Sequence, residues 1–260
     1  MKTLILTGGS SGIGKAAAEL FADNGYRVYE LSRHGKSVGG IVHIDCDVTN
    51  EQQVREAVAK VIENDHRIDV LLSNAGFGIS GAVEFTDTDD ARRQFDVNLF
   101  GALNVVKAVL PQMRQQHDGM ILFTSSVAAV LSIPYQSFYS ASKSAINALA
   151  LALRNEVAQF GIRVSALMPG DVSTGFTAAR DKSEAGAQVY KSMRKAVETM
   201  ENDERGGMSA DRLARKMLWI VTRRNPAPLY TEGFNYQVFW LLEKILPKRL
   251  SNWIVGKLYC

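Results

Sequence analysis

The stretch TGGSSGIG, residues 7–14, limits the possible folds more than any other part of this chain. It follows TLIL, a short apolar run, and opens GKAAAELFADNG (14–25), an Ala-rich helical pattern closed by Asn24-Gly25, a C-cap signal. A strand that passes through a glycine turn directly into a helix commits the chain to a crossover connection. Gly8, Gly12 and Gly14 are spaced G-x-x-x-G-x-G. Glycine lets the turn be tight and lets backbone N–H groups approach an anion. The helix N-terminus adds the positive end of its dipole. This is the context of a dinucleotide site, although the spacing departs from G-x-G-x-x-G. Gly8, Ser10, Ser11, Gly12, Ile13 and Gly14 are therefore candidate cofactor contacts.

The same alternation continues. YRVYELS and GIVHIDCDV read as strands, and a helix starts near Asn50, whose side chain can cap it. RIDVLLSNAG is a strand entering a Gly turn, and a long helix covers about 87–114. GMILFTSS is a strand, 137–160 a helix, and IRVSALMPG a strand ended by Pro-Gly. Strands alternating with helices argue for an α/β fold with a parallel sheet and helices on both faces. The nearly continuous apolar strands agree, because such strands are buried on both sides. After Gly170 the pattern degrades, and 176–208 reads as a partly helical segment rich in charge, Ala and Gly. We expect one domain over 1–234, including a substrate lid at about 175–208, and a C-terminal helical extension over 235–260.

The 260 residues carry a formal net charge of +3. Lys244, Lys248, Arg249 and Lys257, against the single acid Glu243, account for all of it between Leu241 and Cys260. No basic patch elsewhere argues for nucleic acid. Two distant cysteines, Cys46 and Cys260, make neither a disulfide framework nor a metal spacing. MKTLILTGG is too short an apolar run for a signal peptide, and no apolar stretch approaches the ~20 residues of a membrane span. We expect a soluble, cytoplasmic protein.

Cofactor choice is set near the end of the second strand, where an acid about 20 residues past the glycine motif would bind the ribose 2′-OH. Ser32 and Arg33 stand there instead. A cation suits a 2′-phosphate through charge-assisted hydrogen bonds, so NADP(H) is favoured and NAD(H) is the alternative. Glu30 is the competing acid: it would reach the ribose if the strand ended early.

In open α/β sheets ligands bind beyond the carboxyl ends of the strands. That rim should hold the glycine turn, Asn74 of SNAG, Ser126 and the Pro169-Gly170 pair. Tyr139 and Lys143 lie four apart on one helical face. A free tyrosine titrates near ~10, and a lysine cation one turn away should lower it. Tyr139 can then move the proton at a carbonyl oxygen, Ser126 can hydrogen-bond that oxygen, and a nicotinamide would supply the hydride. Taken singly, each residue has an ordinary reading: an exposed i,i+4 pair, a strand-end serine with Ser125 beside it, a turn-capping Asp47.

TGGSSGIG, SNAG, Asn98, Ser126 and YSASK, in this order and spacing, resemble the short-chain dehydrogenase/reductase family from residue 3 to about 176. NAGFGISGAVEF, DVNLFGALNVVKAVLPQMR and PGDVSTGF look most like its 17β-hydroxysteroid dehydrogenase-like and retinol dehydrogenase-like branch. The resemblance implies a Rossmann-type, doubly wound sheet of seven parallel strands. It implies a catalytic set of Asn98, Ser126, Tyr139 and Lys143, with Asn98 holding a water in a proton relay and Lys143 also binding the nicotinamide ribose. It places Asp47 and Val48 at adenine, Asn74, Ala75, Gly76, Pro169 and Gly170 beside the cofactor, and Val172 and Thr174 near the carboxamide. Ser73 departs from the family's usual second Asn. Dimers or tetramers are also implied, built from the helices that carry Asn98 and Tyr139.

The reading is an NAD(P)-dependent oxidoreductase interconverting an alcohol and a ketone or aldehyde. The alternative is an NADP(H)-binding regulatory protein with incidental reductase activity. Val130, Leu131, Ile133, Pro134 and Tyr135 are expected to wall an apolar pocket for a steroid-like, retinoid-like or fatty substrate. The tail FNYQVFWLLEKILPKRLSNWIVGKLYC should be broken by Pro247 into two short helices. Packing on the domain, a subunit contact or lid, and a peripheral membrane contact all remain open for it.

Overall fold

The computed structural model describes residues 1–260. Strand β1 is Lys2–Thr7 and helix α1 is Gly12–Asp23. β2 (Tyr26–Ser32) and β3 (Ile41–Asp45) follow. Helix α2 (Glu51–Asp65) is capped by the Asn50 side chain, which accepts from the Gln52 and Gln53 backbone N–H groups. β4 is Val70–Ser73. Helices α3 (Thr88–Phe95) and α4 (Ala102–Gln116) come next. β5 (Gly119–Thr124), α5 (Ser137–Val157) and β6 (Ile162–Pro169) complete the central run. Beyond it lie α6 (Phe176–Ala179), α7 (Met193–Arg205), α8 (Ala210–Val221) and β7 (Leu229–Glu232). Helices α9 (Phe234–Ile245) and α10 (Lys248–Tyr259) end the chain, broken at Pro247 as the sequence predicts.

Seven strands form one parallel sheet in the order β3-β2-β1-β4-β5-β6-β7. The chain runs outward from β1 to β3, then returns across the sheet to β4. The carboxyl ends of β1 and β4 therefore flank the point where strand order reverses, which is where a doubly wound sheet opens a crevice. Alternate residues of each strand feed opposite layers. Ile5, Leu71, Ile121 and Val164 join one apolar cluster with α2, α4 and α5. Leu4, Leu6, Leu72 and Leu122 join the other with α1 and α8.

The single helix expected over 87–114 is interrupted. Residues Asp96–Gly101 form a π-helical turn between α3 and α4. The wider turn accommodates an extra residue inside an otherwise continuous helix, and Asn98 sits within it.

Candidate active site

The turn after β1 uses its glycines for different reasons. Gly8 and Gly12 have φ of 68° and 53°, in the left-handed region that favours glycine. A Cβ on Gly14 would lie 2.1 Å from the Gly8 carbonyl oxygen and 2.7 Å from Asn74 Nδ2. The start of α1 is thus pressed onto the turn, and Gly14 lies behind the cleft wall. No acid occupies the first turn of α1, so its dipole is left uncompensated at that end.

The sequence reading assigned nothing to Gly9. Its N–H donates to Glu30 Oε1 at 2.8 Å, and a Cβ there would lie 2.4 Å from Glu30 Cγ. Glu30 is 3% exposed. Its other oxygen accepts from Ser32 Oγ at 3.2 Å and meets His43 Nδ1 at 2.6 Å, while His43 Nε2 meets Asp45 at 2.9 Å. Burial is the largest influence on the His43 imidazole and lowers its pKa. Hydrogen bonds and charge from Asp45 and Glu30 outweigh burial and raise it. Because β2 runs on to Ser32, Glu30 props the turn from behind and does not line the cleft. The visible signal was an acid in a strand of otherwise buried apolar residues. Arg33 lies on the cleft rim between Ser32 and His34, exposed and in no ion pair.

Asp47 does cap a turn: its Oδ1 accepts from Thr49 N at 2.9 Å and Thr49 Oγ1 at 2.7 Å. Val48 beside it is buried against Gly101. Asn74 ties three strands together. Its amide donates to the Thr7 and Gly8 carbonyls at 3.3 and 3.2 Å, and its Oδ1 accepts from Thr124 Oγ1 at 3.1 Å. Asn98 is buried in the π turn. Its Nδ2 donates to the Phe77 carbonyl at 3.1 Å and to Ser142 Oγ at 3.0 Å, and its Oδ1 accepts from Phe77 N at 3.0 Å. These bonds fix the Gly76-Phe77 turn to the start of α5. The Asn98 side chain itself lies behind the wall.

Ser126, Tyr139 and Lys143 meet in the cleft. Ser126 follows β5 and caps a single 3-10 turn, accepting from Ala128 N at 3.1 Å. Ser125 is excluded from the same role, because its hydroxyl donates to the Lys143 carbonyl at 3.2 Å. Lys143 Nζ donates to the Thr124 carbonyl at 2.9 Å and lies 5.8 Å from the Tyr139 ring centroid.

The electrostatics correct one expectation. Proximity to Lys143 does not offset the burial of the Tyr139 phenol. Burial pushes that phenol up to about 12, with partial relief from hydrogen bonding to Ser126 and from the Arg180 charge. Burial also pushes the Lys143 ammonium down to about 8. Both groups lose more hydration in the wall than a single charge at this separation returns. At neutral pH the phenol is protonated.

One cleft of about 1180 Å³ runs from the glycine turn to the segment after β6. Every predicted site residue lines it except Gly14 and Asn98. Its apolar wall differs from expectation. Of Val130, Leu131, Ile133, Pro134 and Tyr135, only Ile133 lines the cleft. Tyr135 turns away, with its hydroxyl 2.7 Å from Ser192 Oγ. Val127, Phe176, Ala179 and Met200 supply the rest of the wall, and the Phe176 ring lies 5.9 Å from the Tyr139 ring. Residue order in an irregular segment does not say which side chains face inward. Behind Phe176, Arg180 is buried and paired with Glu204, which also accepts from Thr177 Oγ1 at 2.6 Å. The Nε and Nη1 positions of Arg180 have no partner.

Residues 2–185 match the family described as short chain dehydrogenase. The chain is 38% identical over 253 residues to the 3-ketodihydrosphingosine reductase of Bacteroides thetaiotaomicron, covering 94% of each. Its fold matches the crystal structure of a short-chain dehydrogenase from Streptomyces avermitilis with a TM-score of 0.85 and 28% identity, covering 98% of this chain and 97% of that one. ElxO with NADP bound matches with a TM-score of 0.76 and 25% identity, over 91% of this chain and 99% of that one.

Proposed function

This chain belongs to the short-chain dehydrogenase family, and on that premise we propose that it is an NADP(H)-dependent reductase of a hydrophobic ketone. The observation that carries the reading is the convergence of Ser126, Tyr139 and Lys143 on one cleft with the glycine turn after β1.

The residues present fit a dinucleotide. A glycine turn at a helix N-terminus without acids suits a pyrophosphate, with Ser10 and Ser11 beside it. Arg33, exposed and unpaired, suits a 2′-phosphate. Asp47 and Val48 would border the adenine, and Asn74 to Gly76, Val172 and Thr174 the nicotinamide end. When bound, the nicotinamide supplies the hydride, because no side chain can. Tyr139, protonated at neutral pH, gives its proton to the ketone oxygen as negative charge grows there. Ser126 hydrogen-bonds the same oxygen and orients it. Lys143, as a cation, stabilises the phenolate left behind and offers donors to the ribose. Asn98 acts as a positioning residue, holding the Gly76-Phe77 turn against α5.

The relative that acts on 3-ketodihydrosphingosine supports a lipid ketone, as do Ile133, Phe176, Ala179 and Met200 in the wall. Steroid and retinoid carbonyls, favoured by the branch resemblance, are the competing substrates. Exposed Phe100 and Leu151, on the π turn and α5, support a homo-oligomer. The test is NADPH oxidation, followed by absorbance, against long-chain, steroid, retinoid, short aliphatic and sugar ketones. Turnover should be fastest on a long-chain ketone. Turnover of none of them, with NADPH bound, would favour the regulatory alternative.

A further inference from the structure

Helices α9 and α10 leave much of their apolar surface uncovered. A surface helix normally buries its apolar stripe and exposes its polar one. In α9 the stripe Phe234, Val238, Leu241 and Ile245, spaced i, i+4, i+7 and i+11, faces outward. Phe234 is 77% exposed, Leu241 58% and Ile245 70%. The inward stripe is Tyr236, Trp240 and Glu243. In α10, Leu250, Trp253 and Leu258 also face outward, while Val255 is buried.

The unpaired charges that α9 and α10 themselves carry are of one sign. Their acid, Glu243, is paired with Lys248. Lys244 lies 3.6 Å above the Trp240 ring, and Arg249 and Lys257 are exposed and in no ion pair. The exposed partner that such a face fits is apolar with an anionic surface. Two copies placed face to face would bring like charges together around the apolar contact, which disfavours self-association. No helix is long and apolar enough to cross a membrane, so these helices would lie on a bilayer.

The inward side of α9 packs beside the cleft. The Tyr236 hydroxyl donates to Asp171, and a Cβ on Gly170 would lie 2.2 Å from the Tyr236 ring. Both Asp171 and Gly170 line the cleft. Helix α10 packs on α7, which supplies Met200 and Glu204 to the cleft.

We propose that the outward face of α9 and α10 docks on an anionic lipid bilayer and sets the cleft beside it, so that a lipid ketone enters from the membrane plane. The docking stands on the face alone; the lipid ketone rests on the reading proposed above.

The test is co-sedimentation of the full chain with vesicles of phosphatidylcholine, and of phosphatidylcholine mixed with phosphatidylglycerol. Binding should be strong to the anionic vesicles, weak to the neutral ones, and reduced by salt. The double variant Ile245→Asp, Trp253→Asp should lose binding by about tenfold or more, with NADPH affinity and melting temperature unchanged. Lys244→Gln, Arg249→Gln and Lys257→Gln should each weaken binding roughly fivefold, as about 1 kcal/mol per surface charge implies. No binding to either vesicle overturns the proposal, as does binding that ignores these substitutions. A dimer in lipid-free sedimentation that Ile245→Asp dissolves, without vesicle binding, would assign the face to a second copy instead. Vesicle binding by a protein that reduces no ketone would leave the docking standing and remove the reaction.

Discussion

The two ends of the cleft are built by opposite means. At the rim formed by the carboxyl ends of β1, β4 and β5, backbone meets backbone. A methyl on Gly14 has nowhere to go, and Asn74 is hydrogen-bonded to both Thr7 and Thr124. At the cap formed after β6, short helices are held by ion pairs and aromatic contacts, and Arg180 keeps two unpartnered donors. The difference teaches where identity is enforced. On the proposed reading, the rim would hold a cofactor whose shape does not vary, which suits a geometry specified atom by atom. On the same reading, the cap would meet the part of the substrate that distinguishes one ketone from another, and it is assembled from side chains held by ion pairs and aromatic contacts.

Substitutions can break or sharpen that contrast. The largest effect should come from Lys143→Met, which removes the cation beside Tyr139. Ketone kcat/KM should fall by about 10²-fold or more. In the native enzyme kcat/KM should also decline as pH rises through about 8, where buried Lys143 loses its proton, and the variant should lack that limb. The sign for stability is the reverse. The unfolded chain keeps this proton to higher pH than the folded one, so the lysine's destabilising contribution is relieved above about 8.

Next is Gly14→Ala, which should cost about 1–3 kcal/mol of stability in a denaturant titration and weaken NADPH binding. Arg33→Ser should lower the preference for NADPH over NADH by about tenfold, as loss of one charge-assisted contact implies, while NADH affinity holds. The smallest effect belongs to the cap. Gly175 has open space around it and a φ of −66°, so Gly175→Ala should change stability by less than about 0.5 kcal/mol. If Gly175→Ala proved as costly as Gly14→Ala, the contrast between rim and cap would collapse.

The rim was legible because its constraints are local. A glycine run between strand and helix, SNAG after a strand, and Tyr139 with Lys143 one turn apart each carry their geometry in a few consecutive residues. The alternation of apolar runs with helical patterns likewise announced the parallel sheet. Other features were not legible. The π turn at Asp96–Gly101 reads in sequence like uninterrupted helix, because only the hydrogen-bond pattern distinguishes it. Glu30 looked like a possible ribose ligand, since nothing in YRVYELS says that His43 and Gly9 will meet it from other elements. The proton balance between Tyr139 and Lys143 depends on burial, which spacing alone does not give. Tyr135 points away from the cleft and Phe176, to which the sequence assigned no role, lines it, for the same reason: loop direction is set by distant contacts.

The central claim is that the Tyr139 phenol moves the proton while the rim holds the cofactor. Tyr139→Phe separates the two directly when NADPH affinity and ketone turnover are measured on the same preparation. The account predicts unchanged NADPH affinity and turnover lower by about 10²–10⁴-fold. A variant that binds NADPH and still reduces the ketone at near the native rate would contradict it.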